Sequence, residues 1–201
     1  MIDKIESRKN RIHRWAAALF VVACSITSTV WAVEATPREP RQYFFHQSFG
    51  DLQEELETAR EEGKQGILLF FEAEDCKYCQ AMLKGVLSDP VVQDYYRQHF
   101  LNIAIDIHGD IEIRDLDGIT LPSKVFASHR QVFITPVLSF LDLDGMEIYR
   151  HPGVVKTSEA LLSIGDYIVG QHYLDTEFRV YAERKEVEKQ EKNVTEHRGM
   201  E

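Results

Sequence analysis

The sequence predicts one α/β domain, and three observations support this. Segments with helical spacing of apolar residues alternate along the chain with short apolar segments of strand length. Ile67–Phe71 is an uninterrupted apolar run directly after a glycine, which is typical of a buried central strand. Two later apolar segments flank Asp144-Gly145, a dipeptide typical of hairpin turns. We therefore expect a buried strand and an antiparallel hairpin surrounded by helices.

Composition limits the class of protein. The 201 residues are 44% hydrophobic and 28% charged, which suits one globular domain with extensions. The formal net charge of −10 argues against a nucleic-acid partner, because binding to a phosphate backbone requires a basic surface. The acidic balance instead indicates a solvated exterior.

Residues 1–35 predict an export signal, in which an uncharged segment from Trp15 to Val33 follows the basic side chains of Lys4, Arg8, Lys9, Arg11 and Arg14. Our first interpretation is that this signal is cleaved after Ala32 or Ala35 and that the protein is periplasmic. Two alternatives are a retained membrane anchor and a lipoprotein leader, in which Cys24 at the end of Val21–Cys24 is lipidated. All three place the domain outside the cytoplasm.

The body of the domain is predicted to span residues 36–176, with the following elements in order: a helix over 48–62, the strand 67–71, a helix over 76–87 that restarts at Asp89-Pro90 and runs to about 99, a strand over 100–107, a short hairpin over 111–120, a helix over 122–130, the hairpin strands 137–141 and 146–149, and a helix over 157–173. Residues 177–201 are densely charged and predict a charged C-terminal tail with a fraying helix and a mobile end.

Two cysteines remain in the body, Cys76 and Cys79, and in an exported protein such a pair is a redox couple or half of a metal site. A c-type haem is excluded because Gln80 follows the second cysteine where histidine is required. Zinc needs about four ligands, and the chain has no second close pair of cysteine or histidine. A purely structural disulfide would close too small a loop to add much stability. We therefore predict a redox couple and no metal.

Five histidines in the later part of the body stand apart from one another in the sequence. Each could serve as a single metal ligand, but we interpret most of them as surface or hydrogen-bonded core residues. They are His99, His108, His129, His151 and His172.

Three motifs carry a resemblance to a known family. Cys76-Lys77-Tyr78-Cys79 follows an apolar strand, Ser88–Val92 follows the helix after it, and Thr135-Pro136 enters the hairpin. From about residue 43 to 173 the chain resembles the thioredoxin superfamily, most closely the exported branch related to SoxW and the catalytic domains of disulfide isomerases. The resemblance implies a thioredoxin-like α/β fold, with a central mixed β-sheet flanked by helices.

The two cysteines are expected to have unequal roles. Cys76 lies at a helix start, where free amide groups and the helix dipole favour a thiolate, so it is the predicted nucleophile. Cys79 lies most of a turn further on and suits a resolving thiol. The resemblance implies that a cis bond precedes Pro136 and that Thr135 pairs with an extended substrate segment, and we add Tyr78 to the expected substrate-binding residues. The disulfide itself is the only cofactor expected.

The chain departs from the best-known thioredoxin pattern at two positions. Asp75 replaces the aromatic residue before the first cysteine, and Phe70 stands where thioredoxins have a buried acid. Glu72 and Glu74 are the nearest candidates for proton transfer with Cys79, while the simpler interpretation makes both of them solvated charges.

These observations predict an extracytoplasmic thiol:disulfide oxidoreductase, an enzyme that reduces disulfides of exported proteins. A membrane electron donor of the thiol-transporting type would reduce its disulfide again after each turnover. The reducing direction is favoured because three carboxylates, Glu72, Glu74 and Asp75, oppose a Cys76 thiolate, while only Lys77 supports it. The alternative is a copper or zinc carrier or a peptide-binding chaperone on the same scaffold. Because few residues precede residue 43 after the leader, we expect a monomer.

Overall fold

The computed structural model describes residues 36–198. The predicted export signal, including Cys24 and both predicted cleavage points, lies outside the described residues. Within the described range, none of the helices combines the length and the apolarity needed to cross a bilayer.

Four strands form the central sheet, and two short strands form a separate hairpin. The strands are β1 (Gly66–Glu72), β2 (Phe100–Asp106), β3 (Glu112–Arg114), β4 (Thr120–Pro122), β5 (Val137–Asp142) and β6 (Glu147–Pro152). The sheet order is β2-β1-β5-β6, in which β2 is parallel to β1 while β5 and β6 are each antiparallel to their predecessor in the sheet. The predicted mixed sheet and its hairpin are confirmed by this strand order. The buried central strand is confirmed as well, since all seven residues of β1 are buried.

Helices cover both faces of this sheet. They are α1 (Pro40–Tyr43), α2 (Leu52–Glu61), α3 (Lys77–Lys84), α4 (Pro90–His99), α5 (Ser123–His129), α6 (Ser158–Val169) and α7 (Phe178–Arg198), with 3-10 turns at Val86–Ser88 and His172–Leu174. The break before α4 is confirmed, because the Asp89 side chain caps the backbone N–H of Val91 and Pro90 occupies the first turn.

One predicted boundary near the C-terminus differs from the structure. The helix predicted to reach Tyr173 ends at Val169, because Gly170 caps it and Gln171 turns the chain with a left-handed φ of 55°. The charged segment after Glu177 forms helix α7, which is anchored on the domain by Tyr181, and its side chains over 183–195 are exposed.

Strand β1 divides the core into two clusters because successive side chains face opposite sides of the sheet. Leu68 and Phe70 pack with Cys79 and with apolar residues of α3, α4 and α6. Ile67, Leu69 and Phe71 form the second cluster with apolar residues of α2 and α5. The helix that carries the cysteines therefore packs on the face of the sheet to which Phe70 belongs.

Residues 37–47, which we call the N-terminal strap, bind along the edge of this face. Arg38 forms an ion pair with Asp94 of α4, and Phe44 is fully buried in the first cluster. The His46 N–H donates to the carbonyl of Asn102 on the outer strand β2, at 2.8 Å. The sequence pattern predicted no element in this segment, which nevertheless forms α1 and continues the core.

The strap also makes stability sensitive to acid. Nδ1 of His46 accepts the backbone N–H of Asn102 at 2.9 Å. Burial, with the charges of Arg97 and Lys64, lowers the pKa of His46 from its usual 6.5 to about 4. Between these values the unfolded chain binds a proton that the folded protein does not bind. The stability is therefore complete above about pH 6.5 and is lost as the pH falls towards 4.

We expect His46→Asn to remove this dependence, because an asparagine side chain offers an uncharged acceptor. Between pH 7 and pH 4.5 the wild type should lose about 1–2 kcal/mol more unfolding free energy than the variant, after allowance for solvent screening of a half-buried group. Urea unfolding at both pH values measures this, with His129→Asn, at an exposed histidine, as the matched control. Equal pH dependence of wild type and His46→Asn would contradict the assignment.

Candidate active site

Two of the three motifs that carry the resemblance, Cys76–Cys79 and Thr135-Pro136, meet at one edge of the sheet. The parallel strands β1 and β2 end together there, with Glu72 opposite Asp106. The antiparallel strand β5 begins at the same edge, where Val137 is opposite Phe71. The segment before β5, which contains Thr135-Pro136, therefore lies at the edge from which the chain continues from β1 into the cysteine loop.

Cys76 and Cys79 form a disulfide at the start of α3, with their Cα atoms 5.2 Å apart. Cys76 is the N-cap of the helix, and its Sγ accepts the backbone N–H of Cys79 at 3.0 Å. The cap forms here because the extended backbone of Cys76 directs the side chain towards the free amides of the first helical turn. The same amide would stabilise negative charge on Sγ after reduction.

The two sulfurs differ in their access to solvent. Cys79 is 0% exposed and belongs to the buried cluster below α3, whereas Cys76 is partly exposed above it. An incoming disulfide can therefore approach Cys76 more readily than Cys79. This arrangement suits attack by Cys76 and subsequent resolution by Cys79, as the sequence predicts.

Thr135 and Pro136 occupy the edge beside β1, and the peptide bond between them is cis. Pro136 is buried, and its carbonyl accepts the backbone N–H of Gly153 at 2.8 Å, which joins the segment to the end of β6. Thr135 is partly exposed. The backbone before Pro136 is thus held in place by the hairpin while Thr135 remains accessible from solvent.

Large apolar side chains are exposed on the segments at this edge. Tyr78, between the two cysteines, is 65% exposed, and Phe133 and Ile134, just before Thr135, are 72% and 65% exposed. Tyr78 is one of the substrate-binding residues expected from the sequence, whereas Phe133 and Ile134 were not predicted to bind substrate.

The two candidate proton-transfer residues have different environments. Glu74 is exposed, in agreement with a solvated charge. For Glu72 that interpretation is wrong, because its side chain is only 9% exposed and forms a bidentate ion pair with Arg41 of the strap. Sequence reasoning missed Arg41, which lies far from the cysteines in the chain and belongs to no motif.

This ion pair changes the balance of charge near the cysteines. The sequence indicates three carboxylates against Lys77, but Arg41 compensates the charge of Glu72. Two exposed carboxylates, Glu74 and Asp75, remain against the exposed Lys77. The repulsion of a Cys76 thiolate is therefore weaker than the sequence alone indicates.

The histidines considered as ligands occupy separate positions. His99 packs against the ring of Tyr95 with centroids 4.7 Å apart, and its pKa is lowered mainly by burial. Burial also lowers the pKa of His151, whose Nδ1 lies 3.5 Å from the hydroxyl of Tyr149. In the described part of the chain, no three histidine, cysteine or acidic side chains are grouped so that they can hold a metal ion.

The mixed sheet, the helices on both faces and the disulfide at a helix start define a thioredoxin-fold protein with a Cys-x-x-Cys site. A sequence model of the thioredoxin-like domain family matches residues 52–168. The chain belongs to this family. None of the curated proteins compared with the chain matches it.

The solved structures that are similar to this chain include a thioredoxin-fold protein, which agrees with this fold. A thioredoxin-fold protein from Helicobacter pylori is 24% identical, with a TM-score of 0.50, over 61% of this chain and 84% of that one. A putative disulphide-isomerase from Bacteroides thetaiotaomicron is 24% identical, with a TM-score of 0.48, over 62% of this chain and 91% of that one. A thioredoxin from Thermus thermophilus is 24% identical, with a TM-score of 0.45, over 58% and 82% of the two chains.

Proposed function

We propose that the protein is an extracytoplasmic thiol:disulfide oxidoreductase that reduces disulfides of exported proteins. The observation that carries the proposal is the Cys76–Cys79 disulfide at the N-terminus of α3, where the Cys79 N–H donates to Cys76 Sγ. A thioredoxin-like domain presents this pair with one sulfur accessible and the other buried. The pair needs no further cofactor, because it carries two electrons itself.

The reaction consists of two exchanges. In the reduced protein the Cys76 thiolate attacks one sulfur of a substrate disulfide, a Cys76–substrate bond forms, and the other substrate sulfur leaves and takes up a proton. Cys79 then loses its proton and attacks Cys76 Sγ, which forms the Cys76–Cys79 bond and releases the second substrate thiol. The substrate gains two electrons and two protons, and the protein dithiol loses them.

Substrate binding is proposed to use Thr135, Pro136 and Tyr78. The accessible backbone at Thr135 can pair with an extended segment, and the exposed ring of Tyr78 offers an apolar contact beside the cysteines. Extended segments with apolar side chains around the disulfide are the substrates that this edge of the molecule fits best.

We also propose that the protein is exported, acts as a monomer and belongs to the branch related to SoxW and the disulfide isomerases. The basic and apolar leader supports export. A membrane electron donor of the thiol-transporting type would then supply electrons, since an extracytoplasmic reductant must be recharged from inside the cell. Glu74 and Asp75 support the reducing direction by opposing the Cys76 thiolate.

Trapping tests this function directly. In Cys79→Ser the first exchange proceeds and the second cannot, so mixed disulfides between Cys76 and its substrates should accumulate and be released by dithiothreitol. We expect exported proteins in the trapped fraction, and Cys76→Ser/Cys79→Ser as the control should trap nothing.

The reduction potential of the wild type tests the direction of electron flow. A value of about −270 mV would support a reductant, and a value of about −120 mV would indicate an oxidant.

Failure to trap any protein would contradict the proposed function. Binding of extended peptides with unchanged affinity in Cys76→Ser/Cys79→Ser would then identify a chaperone. Stoichiometric metal in the purified reduced protein would identify a metal carrier.

A further inference from the structure

The ion pair between Arg41 and Glu72 joins the N-terminal strap to the end of β1. The two terminal guanidinium nitrogens of Arg41, Nη1 and Nη2, donate to the two carboxylate oxygens of Glu72, the second of them at 2.7 Å. The Glu72 side chain is 9% exposed and the Arg41 side chain 47% exposed, so the acid is buried beneath its partner. The hydrogen bonds to Glu72 raise the pKa of Arg41 above its usual value. Bidentate pairs of this kind are among the stronger polar contacts in proteins.

This pair lies beside the helix that carries the cysteines. Arg41 lines a pocket of about 360 Å³ between the strap and α3, and the pocket is also lined by Gln80, Leu83 and Lys84 of that helix. The backbone N–H of Gln80 donates to the Cys76 carbonyl at 3.0 Å, so the pocket reaches the helical turn that begins at Cys76.

Glu72 approaches the same region from the sheet. It follows Phe70 by two residues along β1 and so lies on the same face of the sheet, where Phe70 packs in the cluster that contains Cys79. Only Ala73, Glu74 and Asp75 separate Glu72 from Cys76. The chain thus places a buried acid four residues before Cys76, two strand residues beyond the position that Phe70 occupies.

We propose that Arg41 is a positioning residue for the redox pair, which binds Glu72 beside α3 and thereby sets the thiol–disulfide equilibrium of Cys76 and Cys79. This inference rests on the proposed function. The strap lies outside residues 52–168, which the family model matches, so this chain adds the cation from a segment that precedes the matched domain.

The direction of the effect follows from charge. A carboxylate near the cysteines disfavours a thiolate, and a cation bound to that carboxylate cancels the repulsion. Because the Glu72 carboxylate is buried, solvent screens its interaction with a thiolate less than it screens the interactions of the exposed Glu74 and Asp75. Since the thiolate exists only in the reduced protein, loss of Arg41 should favour the disulfide, and loss of the Glu72 charge should favour the dithiol.

A double-mutant cycle at Arg41 and Glu72 tests this, with each protein equilibrated with glutathione at pH 8. The reaction converts the protein disulfide and two glutathione thiols into the protein dithiol and glutathione disulfide. We expect Arg41→Met to lower its equilibrium constant about fivefold, which corresponds to about 20 mV for a two-electron couple. Glu72→Gln should raise the constant by a similar factor, and the double variant should lie within about twofold of the wild type.

The pH profile of Cys76 alkylation by iodoacetamide gives a second readout. Arg41→Met should move the profile to higher pH and Glu72→Gln to lower pH, while Arg41→Lys, which keeps the charge, should restore most of the wild-type profile. A merely structural role would not move the two single variants in opposite directions.

Arg38→Met is the matched control. Arg38 lies in the same strap and forms the same kind of bidentate pair, but with the exposed Asp94 of α4. Its removal should leave both the equilibrium constant and the alkylation profile unchanged. An equal shift in Arg38→Met and Arg41→Met, or shifts of Arg41→Met and Glu72→Gln in the same direction, would overturn the inference.

The same titration separates this inference from the proposed function. If the wild-type pair does not exchange with glutathione at all, the proposed function fails. If the wild type exchanges reversibly and the Arg41 and Glu72 variants match it within twofold, only the role of Arg41 fails. Circular dichroism of each variant establishes that the comparison is made between folded proteins.

Discussion

Cys76→Ser is expected to lose all catalysed disulfide reduction, a fall of roughly 10³-fold or more to the uncatalysed background. The reason is that, of the two sulfurs at the site, an incoming disulfide can reach Cys76, since Cys79 is fully buried in the cluster below α3. A serine hydroxyl cannot take its place, because it is a far weaker nucleophile than a thiolate. The initial rate of reduction of a peptide with a fluorescent disulfide label measures this loss.

Cys79→Ser provides the contrast. This variant retains the accessible sulfur and the amide environment of Cys76, so it should release one equivalent of labelled thiol and then stop. Stoichiometric release without turnover is the expected signature of a missing resolving thiol. Equal multiple turnover in both single variants would contradict the unequal roles that burial assigns to the two cysteines.

Phe70→Asp is expected to destabilise the fold by at least about 4 kcal/mol of unfolding free energy. Thioredoxins have a buried acid at the corresponding strand position, but here the side chain is 0% exposed, and its ring centroid lies 5.6 Å from that of Phe45. The strap thus completes an aromatic environment that offers a carboxylate no evident partner. Urea unfolding of the oxidised protein measures the effect.

The matched variant is Phe70→Leu, which keeps the site apolar and loses only packing. It should cost about 1–2 kcal/mol. A difference of less than about 1 kcal/mol between the unfolding free energies of Phe70→Asp and Phe70→Leu would contradict this expectation. It would mean that water or a polar group reaches this position, as it does at the buried acid of a thioredoxin.

Local patterns in the sequence were sufficient to predict most of the fold. The buried run at β1, the Asp89-Pro90 restart of α4 and the Asp144-Gly145 turn each have a short-range physical cause, and each appears in the structure as expected. The end of α6 was predicted too late, because apolar spacing continues to Tyr173, while the chain turns at Gly170 and Gln171. The apolar period alone does not contain that information.

The cysteine site was predictable for the same reason, since Cys76 and Cys79 lie in one motif at a strand-to-helix junction. The environment of Glu72 was not, because its ion pair depends on Arg41, which reaches it only after the strap has packed against α4 and β2. Long-range pairing between charged residues leaves no periodic signal. The burial of Glu72 therefore became visible only in three dimensions.

The most direct test of the proposed oxidoreductase function is the reduction of insulin disulfides by the wild-type domain, from residue 36 onwards, with dithiothreitol as the terminal reductant. We expect catalytic amounts of the protein to accelerate insulin precipitation well above the background rate with dithiothreitol alone. Alkylation of the reduced protein at Cys76 should abolish this acceleration. A rate equal to the background, measured with protein whose two cysteines are shown to be reduced, would contradict it.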